Sequence, residues 1–274
     1  MPTPRSPWRG PGPGRPELPL PPARMPLLRG TRPRKRWTWV GAFGPELMLC
    51  AARAQVGAIP VAWWAVWDRA AGTLVERSAR GGGGVEVAPD RVRVRGRRLR
   101  FELALDDGEP VEVVSPHGAQ YAWTRKRGGV AARGWIERDG LRRELALRAI
   151  VDESAGYHAR RTAWRWSAGV GTAASGAAVA WNVTDGLHDA PQASERTVWV
   201  DGHPHEIAPL AFAPGLAGVG ELRFTREAVR ARHEDLWLVA SDYEQPFGSF
   251  AGSLPVAGAL ASGWGVMERH AARW

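Results

Sequence analysis

RVRVRGRRLRFELALDDGEPVEVV (residues 91–114) is the stretch on which the fold class turns. Val92 and Val94 alternate with Arg91, Arg93 and Arg95; Leu99, Phe101, Leu103 and Leu105 alternate with Arg98, Arg100, Glu102 and Ala104. A period of two sends the apolar set to one face and the charged set to the other, the mark of a half-buried strand. Asp107-Gly108 follows at once, and Asp-Gly supplies the positive φ angles that two-residue hairpin turns require.

The same grammar extends in both directions. Asp139-Gly140 and Asp201-Gly202 sit between further runs, and GWIERDGLRRELALR (134–148) reads as a single hairpin. Strands are predicted over 37–43, 59–67, 110–114, 157–167, 177–184, 196–200, 221–225, 236–241 and 263–270, while a 3.6-residue period shows only around 226–235. This pattern defines an all-β antiparallel protein. A dozen or more strands exceed one small sandwich, so two packed antiparallel barrels or sandwiches are expected. A break near VDESAG (151–156) divides the body into halves of 37–153 and 154–274.

The 274 residues carry a formal charge of +9, which suggests a nucleic-acid partner until its position is considered. Residues 1–36 hold nine cations against the single acid Glu17, whereas the other 238 residues hold 28 cations and 27 acids. The body is therefore nearly neutral. Residues 1–33 contain eleven of the 22 prolines, and such a composition buries too little apolar surface to repay ordering, so 1–36 is expected to be a disordered basic arm. Its charge allows weak contact with anionic lipid or nucleic acid, without the interleaved aromatics that base stacking uses. Only two of the 37 cations are lysine, a bias in keeping with a GC-rich genome. The single cysteine excludes an internal disulfide, and its apolar setting, LMLCAA (47–52), predicts an inert buried thiol. IPVAWWAVW (59–67) has strand length and no run can span a bilayer; with no continuous apolar leader, the expected compartment is the cytoplasm.

Fifteen tryptophans against three tyrosines is the other departure from ordinary composition. In YHARRTAWRWSAG (157–169) strand parity places His158, Arg160, Thr162, Trp164 and Trp166 on one face, which lines either a ligand cavity or a packed core. In GWGVMERHAARW (263–274) parity places Val266, Glu268 and His270 together, and a carboxylate beside an imidazole is the minimum equipment for general acid–base work. Glu268 can equally pair with an arginine such as Arg160. The polar cluster WNVTDGLHDAPQASERTVWVDGHPHE (181–206) supplies Asn182, Asp189 and Glu195 as ligand-contacting candidates. His203-Pro204-His205 has the spacing of a metal-binding strand, but Pro204 marks a surface loop and no metal or other cofactor is expected. No Gly-x-Ser-x-Gly elbow and no phosphate loop is present; GGGG (81–84) reads as a hairpin tip.

Six segments together resemble a known family: KRWTWVGAFGPELML (35–49), VWDRAAGTLVERS (66–78), YHARRTAWRWSAGVG (157–171), WNVTDGLHDAPQASERTVWVDG (181–202), QPFGSFAGSLP (245–255) and GWGVMERH (263–270). The family is the bacterial domain of unknown function 2804. The Val-Met-Glu-x-His ending is similar to the terminal strand of tandem lipocalin-like (calycin-type) proteins such as carotenoid hydratases and tocopherol cyclases. That resemblance implies two calycin-type barrels and an apolar ligand, isoprenoid or fatty-acyl, in a tryptophan-lined cavity. The resemblance leaves catalytic residues unassigned; an enzymatic alternative is hydration or cyclisation of an isoprenoid double bond, with Glu268 as acid and His270 or Asp189 assisting. A scaffold that docks on anionic surfaces through its arm is the third possibility.

Overall fold

A computed structural model of the chain describes residues 4, 6–11, 14–236 and 239–273. These form two large antiparallel sheets and no α-helix. In the first sheet, of eleven strands, the order runs Thr73–Arg80, Ile59–Asp68, Leu47–Val56, Lys35–Phe43, Leu141–Gly156, Gln120–Arg138, Leu99–Leu105, Arg91–Arg95 and Val85–Ala88. Val111–His117 joins the other end of the long strand Gln120–Arg138. The second sheet, of nine strands, runs His203–Glu206, Thr197–Val200, Ala178–Asp185, Arg161–Ala173, Gly258–Arg273, Val239–Ala251, Leu222–Leu236 and Gly218–Val219, with Ser253–Leu254 beside Gly258–Arg273. Both sheets curl into half-barrels.

The alternation of 91–105 is realised residue by residue. Val92, Val94, Leu99, Phe101, Leu103 and Leu105 are buried inside the first sheet, each worth about 1.5–3 kcal/mol of burial. On the outer face Arg93 reaches across to Glu102 at 2.5 Å and Arg100 to Glu137 at 2.7 Å. Of the three Asp-Gly pairs, Asp139-Gly140 and Asp201-Gly202 adopt positive φ at both residues, the geometry of a primed hairpin turn. Asp107-Gly108 does not: it lies in the connection 106–110, where the Asp107 side chain accepts a hydrogen bond from the Gly108 amide at 2.9 Å.

Several expectations are corrected. The helical period at 226–235 belongs to the strand Leu222–Leu236; a bulge between Arg226 and Ala228 disturbs its two-residue alternation. Residues 151–156 are no break, because they complete the strand Leu141–Gly156, paired with Lys35–Phe43; the chain crosses between sheets at 157–160, the start of the predicted strand 157–167. Nor is the described part of the arm loose. Trp8–Arg9 pairs with Val111–His117, Leu20 and Met25 are buried against Tyr121, Trp123 and Tyr157, and Arg15 meets Glu112 at 2.7 Å. The few apolar residues between the prolines suffice because the first sheet offers them a hydrophobic face.

The two sheets are joined through a third apolar cluster, in which Trp39, Met48 and Ile150 of the first meet Trp166, Val170, Phe247 and Val266 of the second. Arg148 crosses this junction and donates to the Gly171 and Val179 carbonyls at 2.7 and 3.1 Å. Arg69 makes a two-pronged contact with Glu227, at 2.6 and 2.8 Å. Trp199 lies flat on Gly128, where a β-carbon would come within 2.3 Å of the indole. Gly128→Ala should therefore overpack the junction and cost about 1–3 kcal/mol in urea unfolding. An unchanged midpoint would mean that the sheets can separate there freely.

Candidate functional site

Register between strands 100 residues apart in sequence assembles the site. Pairing of Arg161–Ala173 with Gly258–Arg273 sets Trp164 opposite His270 and Trp166 opposite Glu268. Val239–Ala251, on the other flank of Gly258–Arg273, sets Tyr243 opposite His270. The two faces expected separately from parity, Trp164 with Trp166 and Glu268 with His270, are thus one face. It does not line a closed barrel interior. It looks across the junction at Trp37, Trp39 and Trp63 of the first sheet.

Glu268 is buried there. Its carboxyl accepts hydrogen bonds from the Trp164 indole N–H and the Gln245 amide, both at 2.9 Å, and Arg160 is not its partner: that side chain is exposed beyond the strand. Burial raises the Glu268 pKa to about 7, against the opposing pull of the donors Trp164, Tyr243 and Gln245. The imidazolium that could have cancelled this rise is absent, because burial lowers His270 to about 4 and leaves its ring neutral. His270 Nε2 lies 2.8 Å from the Ser241 hydroxyl, and its ring meets Trp164 edge-on at 4.4 Å. Arg230 closes one side, its guanidinium 5.0 Å from the Tyr243 ring and 5.7 Å from that of Trp63. Burial pushes the neighbouring Cys50 thiol up to about 12, which leaves it protonated and unreactive.

Behind Trp166 lies a second polar group. The Trp166 indole donates to Asn182 Oδ1 at 2.7 Å, and the Asn182 amide donates to the Glu195 carbonyl at 2.9 Å. Lys126 Nζ sits 2.6 Å from Asp152 Oδ1 and 3.4 Å from Glu195 Oε2. Burial alone would discharge Lys126, but the two carboxylates outweigh it and hold it charged. Burial raises the Glu195 pKa to about 7, against the opposing pull of Lys126. Asn182 and Glu195 therefore support the tryptophan from behind.

His158 stacks on Trp37 at 5.5 Å, and Trp37 in turn lies parallel to Trp164 at 6.5 Å, so His158 does join the site. Asp189 does not. Its carboxylate accepts from the Gly186 amide at 2.7 Å and its carbonyl from Arg196 at 2.7 Å, which shapes the loop 186–196. Asp189 is thus no assistant to Glu268. His203 and His205 lie on an exposed edge strand, His203 3.6 Å from Glu109, and no group of metal-ligating side chains occurs among the described residues. Two surface hollows, of about 340 and 210 Å³, are lined by residues of 82–100 and 137–140 at hairpin tips of the first sheet, and neither touches the tryptophan face.

Trp37, Lys126, Asp152, Tyr243 and Gln245 were not singled out as site residues by sequence pattern. Rarity was the available signal: Lys35 and Lys126 are the only lysines among 37 cations, and both are buried.

Fold and site together define a lipocalin-like protein of two curled half-barrels, with a polar, tryptophan-rich seam between them. The family profile described as Domain of unknown function (DUF2804) matches residues 79–274, and the chain belongs to that family. Among solved structures it is similar to an AttH candidate from Nitrosomonas europaea, with 14% identity and a TM-score of 0.53 over 91% of this chain and 97% of the other. Kievitone hydratase from Nectria haematococca matches at 9% identity and a TM-score of 0.48, over 86% and 88% of the two chains. No curated protein matches the sequence. No helix of the described residues is long and apolar enough to cross a membrane.

The Glu268 environment sets a pH dependence. The folded chain binds this proton more tightly than the unfolded chain, whose glutamate titrates near 4.5. Its stabilising contribution is full below about 4.5 and is lost as pH rises through about 7. Urea unfolding of wild type and Glu268→Gln across that range should show wild type losing stability relative to the variant as pH increases. A difference independent of pH would show that Glu268 titrates normally.

Proposed function

We propose that the protein binds an apolar small molecule, of isoprenoid or fatty-acyl type, against the tryptophan face at the junction of its two sheets. The observation that carries this reading is the half-exposed set Trp37, Trp63 and Trp164 above the buried carboxyl of Glu268. Stacked indoles with few convergent polar groups are the usual lining of a small-molecule site, and their apolar area is otherwise left partly in water. Asn182 and Glu195 contribute by holding Trp166, whereas Arg160 and Asp189 have no part in it.

A second reading, catalysis, is favoured by Glu268 itself. A carboxyl whose pKa stands near 7 is protonated in a good fraction of molecules at neutral pH and can donate to an alkene carbon in a dry setting. Hydration or cyclisation of an isoprenoid double bond needs such a donor. No comparable observation favours docking through the arm, whose Arg9, Arg15 and Arg34 are committed to Thr197, Glu112 and Gln55 within the protein.

Binding is tested with the neutral fluorophore N-phenyl-1-naphthylamine, whose emission rises in apolar sites and which accepts energy from tryptophan. Wild type should bind it, and Trp164→Ala should weaken binding about tenfold, the equivalent of about 1.4 kcal/mol. Absence of binding, or binding indifferent to Trp164→Ala, would overturn the reading. Catalysis is tested by incubating the protein with an alkene-rich lipid extract and following the gain of one water by mass spectrometry. Turnover should fall as pH rises through about 7 and vanish in Glu268→Gln while the fluorophore still binds; turnover that persists in Glu268→Gln removes this residue as the acid.

A further inference from the structure

Among the described residues six large apolar side chains stand exposed, and three of them, Leu27 at 45%, Leu28 at 62% and Ile59 at 62%, belong to one corner of the first sheet. A single exposed leucine needs no explanation, but a group does. The backbone holds this group together. Leu28 pairs with Pro33 in the short hairpin 28–33, and the Arg34 amide closes it on the Leu27 carbonyl at 2.8 Å. The Arg34 carbonyl then accepts from the Gly57 amide at 2.8 Å, in the turn between Leu47–Val56 and Ile59–Asp68, where Val56 pairs with Ile59. Pro33 lies against Gly57, 3.5 Å from where a β-carbon would stand there. Hairpin and turn are therefore one surface, with Pro26, Ala58 and Pro60 exposed beside the three large side chains.

Charge is concentrated at the same corner. Residues 24–60 hold six arginines, Arg24, Arg29, Arg32, Arg34, Arg36 and Arg53, against the single acid Glu46, which stands at the opposite end of the strands Lys35–Phe43 and Leu47–Val56. Two of the six are engaged within the protein. Arg34 donates to the Met25 carbonyl at 2.7 Å and to Gln55 Oε1 at 3.1 Å, and the Arg29 guanidinium lies 4.7 Å over the Tyr121 ring. The side chains of Arg24, Arg32, Arg36 and Arg53 have no ion-pair or hydrogen-bond partner among the described residues. Arg9 and Arg15 are spent on Thr197 and Glu112, whereas these four surround an apolar centre with charge that no described acid neutralises.

An apolar centre ringed by arginine suits a bilayer that contains anionic lipid. Headgroup phosphates pair with the guanidinium groups, and the acyl region takes up the leucine and isoleucine side chains that water disfavours. A nucleic acid would use the arginines alone. It offers nothing to Leu27, Leu28 or Ile59, and no aromatic residue occurs in 24–36 or 56–60 to stack on a base.

We propose that this corner docks on an anionic bilayer, with Leu27, Leu28 and Ile59 inserted below the headgroups and Arg24, Arg32, Arg36 and Arg53 on the lipid phosphates. Ile59 and Arg53 come from the body of the protein, so the surface is not a property of the arm alone. The corner is also where the tryptophan face begins: alternation puts Ile59, Val61 and Trp63 on one side of their strand, and register sets Val61 and Trp37 on either side of Ala54. A bilayer held there lies beside that face, although the docking itself depends on no ligand bound to it.

Flotation of the full chain with vesicles tests the contact. Wild type should float with vesicles of three parts phosphatidylcholine to one part phosphatidylglycerol, stay behind with phosphatidylcholine alone, and be released from the anionic vesicles by salt. The triple variant Leu27→Ser, Leu28→Ser, Ile59→Ser should bind the anionic vesicles about tenfold more weakly, as should Arg24→Gln, Arg32→Gln, Arg36→Gln. Leu141→Ser, which changes an 81% exposed leucine at the Asp139-Gly140 turn, should bind as wild type does. Near-ultraviolet circular dichroism checks that each variant keeps the native fold. Failure of wild type to float, equal binding to both kinds of vesicle, or undiminished binding by the serine variant overturns the docking. So does tighter binding to a single-stranded DNA oligomer that the serine variant retains in full, which would make the arginines a nucleic-acid contact. A wild-type dimer in light scattering that the serine variant lacks would overturn it too, by making the corner an interface between copies.

Discussion

The antiparallel register between Arg161–Ala173 and Gly258–Arg273 is the constraint on which the rest of this structure depends. Strand side chains alternate strictly, so a slip of one residue between these strands would leave Trp164 and Trp166 on one face and send Glu268 and His270 to the other. In the observed register the opposite face carries Ser167 and Met267, and Met267 packs with Trp181 and Val183 in the core of the second sheet. Each of the two strands has an apolar requirement on both faces, which leaves a single register that satisfies both. The site is a by-product of that double burial.

Burying charge at such a seam is costly unless each charge is matched, and the seam meets the requirement in two ways. Lys126 keeps its charge through Asp152 and Glu195, and this ion cluster holds Trp166 by way of Asn182. Among the described residues Glu268 has no cation as a partner; it is surrounded by neutral donors and responds by taking up a proton more readily. Burial thus raises two glutamates to about the same pKa in different surroundings. Glu195 faces the cation Lys126, whereas Glu268 faces neutral hydrogen-bond donors.

Aromatic residues bind these layers together. Trp199 against Gly128 and Trp37 against Trp164 are contacts between the sheets, and Trp37 leads on to His158 at the crossing point of the chain. The arm closes the same end from outside: Arg9 donates to the Thr197 hydroxyl at 3.1 Å, next to the buried pair Glu195 and Arg196. A segment whose composition forbids an independent core is ordered by a surface made elsewhere. Its basic character is then partly used up internally, at Glu112, Glu206 and several backbone carbonyls.

The all-β class, the two Asp-Gly turns at 139–140 and 201–202, the inert Cys50 and the faces of Trp164/Trp166 and Glu268/His270 were legible in the amino-acid order, because each depends on alternation or on the φ preference of one dipeptide. The merging of those faces was not, nor was the burial that raises Glu268 and lowers His270, nor the partnership of Lys126 with Asp152 and Glu195. Likewise, nothing local told Asp189, bound within its own loop, from Glu195, which faces Lys126. Alternation is a property of one strand, whereas the field around a carboxyl is a property of every strand packed against it. Sequence by itself determined which side each residue takes; only the tertiary structure decided what it meets there, because desolvation and pairing act across distances that bear no relation to separation along the chain.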